Sequence, residues 1–221
     1  MKKFKEHILD YHFSLRPDVI LPSGIEWLMP YDNPETRKCM NAFYEKFYDD
    51  HQPRTLILGI NPGRFGAGVT GVPFTDPIRL KKIGIENTFP LKPELSSVFV
   101  YEMIDALGGP QKFYAQYYIT SLSPLGFIKN GINYNYYDDK ELGRMVRPFI
   151  IKNIETQLQF GADRSKVFCL GQGKNFEYLS KLNDEYHWWE SVVPLPHPRW
   201  IMQYRLKRKA EFIEAYKDML M

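Results

Sequence analysis

Four short runs along the chain are apolar almost without interruption: "TLILGI" (55–60), "QYYITS" (116–121), "KVFCLG" (166–171) and "SVVPL" (191–195). They are rich in β-branched and aromatic residues and end near Gly, Ser or Pro, a pattern that predicts buried strands. Helical spacing of apolar positions lies between and around them, at about 34–50, 96–107, 139–160, 173–182 and 203–219, and "LGG" at 107–109 marks a helix stop. Strands alternating with helices predict βαβ units and a mainly parallel sheet covered on both faces. Ligands of such sheets bind beyond the carboxyl ends of the strands. Three of those ends carry polar residues suited to chemistry: Asn61 after the first run, Ser121 at the end of the second and His197 after the fourth.

Composition narrows the class. The chain has 221 residues, 44% hydrophobic and 15% aromatic, which fits a folded domain rather than a disordered tail. The expected organisation is a single domain over 1–221, with residues 1–50 as a helical N-terminal extension packed on it. Cys39 and Cys169 stand far apart and in no C-x-x-C arrangement, so neither a disulfide framework nor a zinc site is expected, and no other metal cluster suggests itself. The start, "MKKFKEHILDYHF", has no continuous apolar stretch and reads as neither a signal peptide nor a membrane anchor, so a cytoplasmic monomer without membrane contact is the expectation. A formal net charge of +3 is too small to declare a nucleic-acid binder; the distribution of charge matters more.

"GINPGRFGAGVTGVPF" (59–74) follows the first strand run. It matches neither G-x-G-x-x-G nor G-x-x-x-x-G-K-[ST], so the two common nucleotide fingerprints fail. Five glycines still call for sharp turns or close approach of a ligand to the backbone. A rigid, bare loop that ends in an aromatic suits a flat ring, with backbone groups at its edge and Phe74 over its face. A tight surface loop with Phe65 and Phe74 as core plugs is the alternative. The fourth run leads into "LPHPRW", which sets His197 between two prolines and ahead of Arg199, Trp200, Arg205, Lys207, Arg208 and Lys209. A histidine in this position is either structural or chemical. Basic residues mixed with a tryptophan beside it suit nucleic acid, or else form a solvated helix face.

Together these residues resemble the uracil-DNA glycosylase superfamily, and most of all a bacterial subgroup of its single-strand-selective monofunctional branch. Gly59-Ile60-Asn61-Pro62-Gly63, Phe65-Gly66 and Thr70-Gly71-Val72-Pro73-Phe74 follow the family's first motif without a gap. The likeness continues through "YITSLSPLGF" and "VFCLGQGKN" to "LPHPR", about residues 54–205. The resemblance implies a three-layer α/β/α sandwich with a central four-stranded, mainly parallel sheet. It also implies an enzyme that flips a damaged base from DNA and hydrolyses its bond to deoxyribose, with no metal or cofactor.

By resemblance, Asn61 orients the attacking water and His197 donates to the O2 oxygen of the departing base. Phe74 stacks on the flipped ring, and the backbone at Ile60 and Gly63 meets its edge. Arg64, Lys174, Arg199 and Trp200 are the implied DNA contacts. Two departures stand out: the family's usual His-Pro-Ser-Pro is here the shorter "HPRW", and a base-reading asparagine is here Ser121. A hydroxyl offers one donor, where an amide offers donors and an acceptor together. Asn130, Asn133 and Asn135 lie just beyond in "KNGINYNYYDD" and are candidates to stand in for that asparagine, although the stretch reads more simply as a polar surface loop. A catalytically silent DNA-lesion binder and a nucleoside or nucleotide hydrolase using the same pocket are the competing functions.

Overall fold

The computed structural model describes residues 2–221. In chain order the elements are α1 Phe4–Ser14, β1 Ile25–Leu28, α2 Pro34–Tyr48, β2 Thr55–Gly59, α3 Ala67–Thr70, α4 Pro77–Lys82, α5 Leu95–Ala106, α6 Pro110–Tyr114, β3 Tyr117–Ser121, β4 Gly126–Lys129, β5 Ile132–Tyr134, α7 Lys140–Leu158, β6 Lys166–Leu170, α8 Lys174–Tyr186, β7 Ser191–Leu195, α9 Pro198–Tyr204, a 3-10 turn Leu206–Arg208 and α10 Lys209–Leu220.

The four apolar runs become β2, β3, β6 and β7, one sheet in the order β3-β2-β6-β7, with every neighbouring pair parallel. Flanking helices complete the expected α/β/α architecture. β3 is buried at every position and β2 and β6 at all but their first, because a parallel sheet covered on both faces leaves no side for water. The chain runs from β2 outward to β3, then returns to lay β6 on the other side of β2. The β2/β6 boundary is therefore the point where connections diverge, and a crevice opens there beyond the strand ends.

A second sheet was not foreseen. β1, β4 and β5 form an antiparallel three-stranded sheet in the order β1-β4-β5. β4 and β5 are joined by Asn130-Gly131, both at positive φ (51° and 71°). That is the turn Asn-Gly favours between strands, because it matches their right-handed twist. The supposed polar surface loop is thus a hairpin.

Residues 1–50 are not wholly helical, since β1 lies among them. Phe4, Ile8 and Tyr11 of α1 join the main core, and Phe4 stacks on Tyr48 of α2 with ring centroids 5.7 Å apart. Arg54, fully buried, is neutralised by Asp50 at 2.8 Å and donates to the Tyr114 carbonyl. The helix expected over 203–219 is broken into α9 and α10 by the turn at 206–208, and α9 begins earlier, directly after His197. Each of the two short helices reaches the core, through Ile201 and through Tyr216 and Leu220. Among the described residues, no helix is long and apolar enough to cross a membrane.

Candidate active site

A cavity of about 750 Å³ opens at the carboxyl ends of the parallel strands. Five chain segments wall it: the glycine-rich loop after β2, the start of α5, the β5 end of the second sheet with the residues that follow it, the turn after β6 into α8, and the turn from β7 into α9.

The glycines of the first loop answer to specific neighbours. A Cβ on Gly59 would meet the Phe74 ring edge at 3.2 Å, so the bare residue lets that ring lie against the end of β2. Phe74 has φ 52°, a conformation that costs a non-glycine residue about 1–3 kcal/mol. The surrounding turn holds it there: Thr70 Oγ1 donates to the Thr75 carbonyl at 2.6 Å and accepts from the Val72 amide at 3.2 Å.

Asn61 follows β2 with its carboxamide fixed at both ends. Nδ2 donates to the Tyr134 carbonyl at 3.2 Å, and Oδ1 accepts from the Tyr136 amide at 3.3 Å. The side chain thereby extends the edge of β5, and one lone pair of Oδ1 is left over. The hairpin is stitched to the loop again where the Arg64 amide donates to Asn133 Oδ1 at 3.0 Å and the Arg64 guanidinium donates to the Gly131 carbonyl. Tyr136, buried, donates from its hydroxyl to Asn175 Oδ1 at 2.8 Å, and Asn175 Nδ2 donates to the Leu170 carbonyl at 3.0 Å. These bonds tie the segment that follows β5 to the end of β6 and the start of α8.

The close approach of the two sheets depends on Gly126 in β4. A Cβ there would stand 2.3 Å from the Pro62 carbonyl oxygen, a backbone atom that cannot swing aside. Gly126→Ala is expected to force hairpin and loop apart and to destabilise the protein by about 1–3 kcal/mol, the usual range for overpacking. Thermal melting reads the loss directly.

His197 caps α9. Its Nδ1 accepts from the Arg199 amide at 3.1 Å, so the proton of the neutral ring belongs on Nε2. Burial, and then the charge of Arg199, push its pKa down to about 4, which keeps the imidazole neutral near pH 7. The ring lies 6.2 Å from that of Phe74, centroid to centroid.

Of the expected site residues, Ile60, Asn61, Gly63, Phe74, Lys174, His197, Arg199 and Trp200 all line this one cavity. Lys174 opens α8 behind Gly173, which offers the helix no side-chain cap. Arg64 lies instead in an adjoining groove of about 260 Å³, with Phe65, Glu94 and Arg199. Ser121 does not reach the cavity wall. It pairs with Gly59 in the sheet, and its Oγ lies 3.3 Å from where a Gly59 Cβ would stand, among the atoms nearest that point along with the Phe74 ring edge.

Three further groups of residues line the cavity; of these the sequence singles out only Asn133 and Asn135, in a stretch that reads more simply as a surface loop. Asn133, Asn135 and Tyr137 arrive with the hairpin, Glu94 and Ser96 with the start of α5, and Gln203 and Tyr204 with α9. The Asn-Gly pair between "FIK" and "INY" was the available signal for the first group. At the mouth Trp200 is 39% and Tyr204 66% exposed, and the Arg205 guanidinium lies 4.9 Å over the Trp200 ring. Exposed aromatics beside cations are one kind of surface on which the bases of a single strand can stack. No group of three or more acidic, histidine or cysteine side chains able to hold a metal occurs among the described residues.

The family model of the Uracil DNA glycosylase superfamily matches residues 45–220. Among solved structures, the wild-type SMUG2 crystal structure from Pedobacter heparinus is similar at a TM-score of 0.96 and 46% sequence identity, over 100% of this chain and 97% of that one. No curated protein matches the chain.

Proposed function

Since the chain belongs to the uracil-DNA glycosylase superfamily, we propose that it is a monofunctional DNA glycosylase that releases uracil or a related deaminated base and leaves an abasic site. The observation that carries this reading is the meeting of Asn61 and a tautomer-fixed His197 in one cavity behind the Phe74 ring. A base turned out of the strand enters with its face on Phe74 and its edge at the backbone of Ile60 and Gly63. The bond from C1′ to the base nitrogen breaks, and its electron pair leaves with the base. His197 Nε2–H donates to the O2 oxygen as charge collects there, and its neutrality makes it a hydrogen-bond donor that keeps its proton. The free lone pair of Asn61 Oδ1 orients a water toward C1′. The water supplies hydroxide to the sugar, and its proton is passed to solvent. An amide is a weak base, so placement of the water and stabilisation of the leaving anion carry the rate. No lysine stands beside Asn61 or His197 in the two motifs, and Lys174, which lines the same cavity, is assigned to the DNA strand, a division that suits hydrolysis by water rather than by an enzyme amine.

The test is base release from oligonucleotides that carry uracil, hydroxymethyluracil, xanthine or hypoxanthine, single-stranded and in duplex. Release of at least one of these bases is expected. Tight binding of lesion or abasic DNA with no release would identify a lesion-binding protein instead.

Lys174, Arg199 and Trp200 at the cavity mouth are the proposed strand contacts. Each phosphate neutralised by a cation contributes about 0.7 to the log–log salt slope of binding on single strands and about 0.9 on duplex. Arg199→Ala is therefore expected to weaken binding and to reduce the slope by about one contact. Anisotropy titrations across salt concentrations would read it, and an unchanged slope would remove Arg199 from the strand path.

A further inference from the structure

Among the described residues, Glu94 is the only carboxylate on the cavity wall. It precedes α5 and is held at several points. Its backbone amide donates to Asp76 Oδ2 at 2.8 Å, and its own Oε2 accepts from Ser97 Oγ at 2.8 Å. The carboxyl lies directly on the glycine-rich loop. A Cβ on Gly66 would stand 2.1 Å from Oε2, so that position is bare where the carboxyl rests. A Cβ on Gly63 would stand 3.7 Å from Oε1 and 3.3 Å from Asn133 Nδ2. The space over Gly63 is thus bracketed by one carboxyl and one amide, both on the wall of the cavity.

We propose that Glu94 is a specificity-determining residue: its carboxyl meets the edge of the extruded base over Gly63 and serves there in its neutral form. This rests on the glycosylase reading, in which Gly63 adjoins that edge. A protonated carboxyl presents an O–H donor and a carbonyl acceptor side by side, the same pair as an amide. Ser121 is not on the cavity wall, and Glu94 supplies that pair over Gly63. An imide such as uracil carries a matching acceptor and donor along its own edge. Ionised, the same carboxyl loses its donor and sets a negative charge beside a base that is itself becoming an anion, which raises the barrier to release.

The surroundings favour the neutral form. Burial pushes the Glu94 pKa above the ordinary 4.5, and the charge of Asp76 adds to this, while the Ser97 bond, Arg199 of α9 and Arg79 of α4 act in the other direction. Arg64 lines the adjoining groove with Glu94. The sign follows: the neutral carboxyl is present below the raised pKa and lost as pH climbs through it, so base release falls with rising pH across that step.

Glu94→Gln keeps the shape, an acceptor for Ser97 and the donor–acceptor pair, and cannot ionise. The experiment is single-turnover release of uracil from single-stranded oligonucleotide by the full chain from the ordinary carboxylate value of 4.5 upward in pH, for wild type and Glu94→Gln, with melting curves for both. Wild type is expected to lose rate by roughly tenfold across the step, the size of one unit charge acting through a partly screened site. The Gln variant is expected to hold its low-pH rate throughout. Glu94→Ala, which supplies neither donor nor acceptor, is expected to be slow at every pH. Parallel profiles for wild type and Glu94→Gln would overturn the proposal. So would a Glu94→Ala variant that melts normally and releases uracil like wild type. Wild type that releases none of the four bases would overturn the glycosylase reading itself, which separates the two failures.

Discussion

Asn61→Ala is expected to bind single-stranded DNA like wild type and to release base about 10²–10³-fold more slowly, the usual loss when a positioned catalytic dipole is removed. The side chain is held by two backbone groups, the Tyr134 carbonyl at the end of β5 and the Tyr136 amide just beyond it. It therefore enters the reaction already oriented, with no reorganisation left for the transition state. Alanine removes the Oδ1 lone pair and also leaves the two backbone groups without a partner. Each lost bond costs about 0.5–1.5 kcal/mol, so a modest fall in melting temperature accompanies the loss of rate. Single-turnover rates on the folded protein separate the effects, since saturating enzyme removes any contribution from binding. A variant that turns over near the wild-type rate would show that Asn61 serves only to fasten the hairpin.

That double duty of Asn61 marks where sequence reading stopped. The four strands of the parallel sheet were legible because each is an uninterrupted apolar run, and burial on both faces demands nothing more of a sequence. Asn61 and His197 stood out because they directly follow two of those runs. The second sheet was not legible in the same way. β1 and β4 have four residues each and β5 three, too few for a period to emerge, and β1 is held by pairing with β4 across about a hundred residues of chain. "KNGINY" did carry a hairpin signal in its Asn-Gly pair, but the surrounding polar residues read as loop. Glu94 had no local mark at all: its relation to Gly63 and Gly66 exists only once α5 is packed against the glycine-rich loop. Ser121 shows the converse. Its position at a strand end was read correctly, yet strand-end placement alone does not say whether a side chain reaches the cavity, and here Gly59 and Phe74 are its neighbours.

His197→Ala is expected to slow base release by a similar ~10²–10³ through loss of the donor to the developing oxyanion. It is also expected to lower stability, because the imidazole accepts the Arg199 amide as the cap of α9 and a lost cap costs about 0.5–2 kcal/mol. His197→Asn separates the two roles. Asparagine is among the best N-cap residues, so it restores the bond to the Arg199 amide and the stability of α9. Its amide is shorter than the imidazole and does not carry a donor to the place of Nε2. The Asn variant should therefore melt like wild type and remain as slow as alanine. If it recovers the rate along with the stability, His197 is a cap and nothing more. The loss should also shrink on bases that leave more easily, since a better leaving group places less demand on the donor at O2. Finally, the depressed pKa of about 4 means that His197 stays neutral across the usual histidine range and makes no step near 6.5 in the pH–rate profile. In the Glu94→Gln background, where the carboxyl no longer titrates, that profile should be level from about pH 5 to 8. A step there that disappears in His197→Asn would mean that the imidazole titrates and acts as an acid.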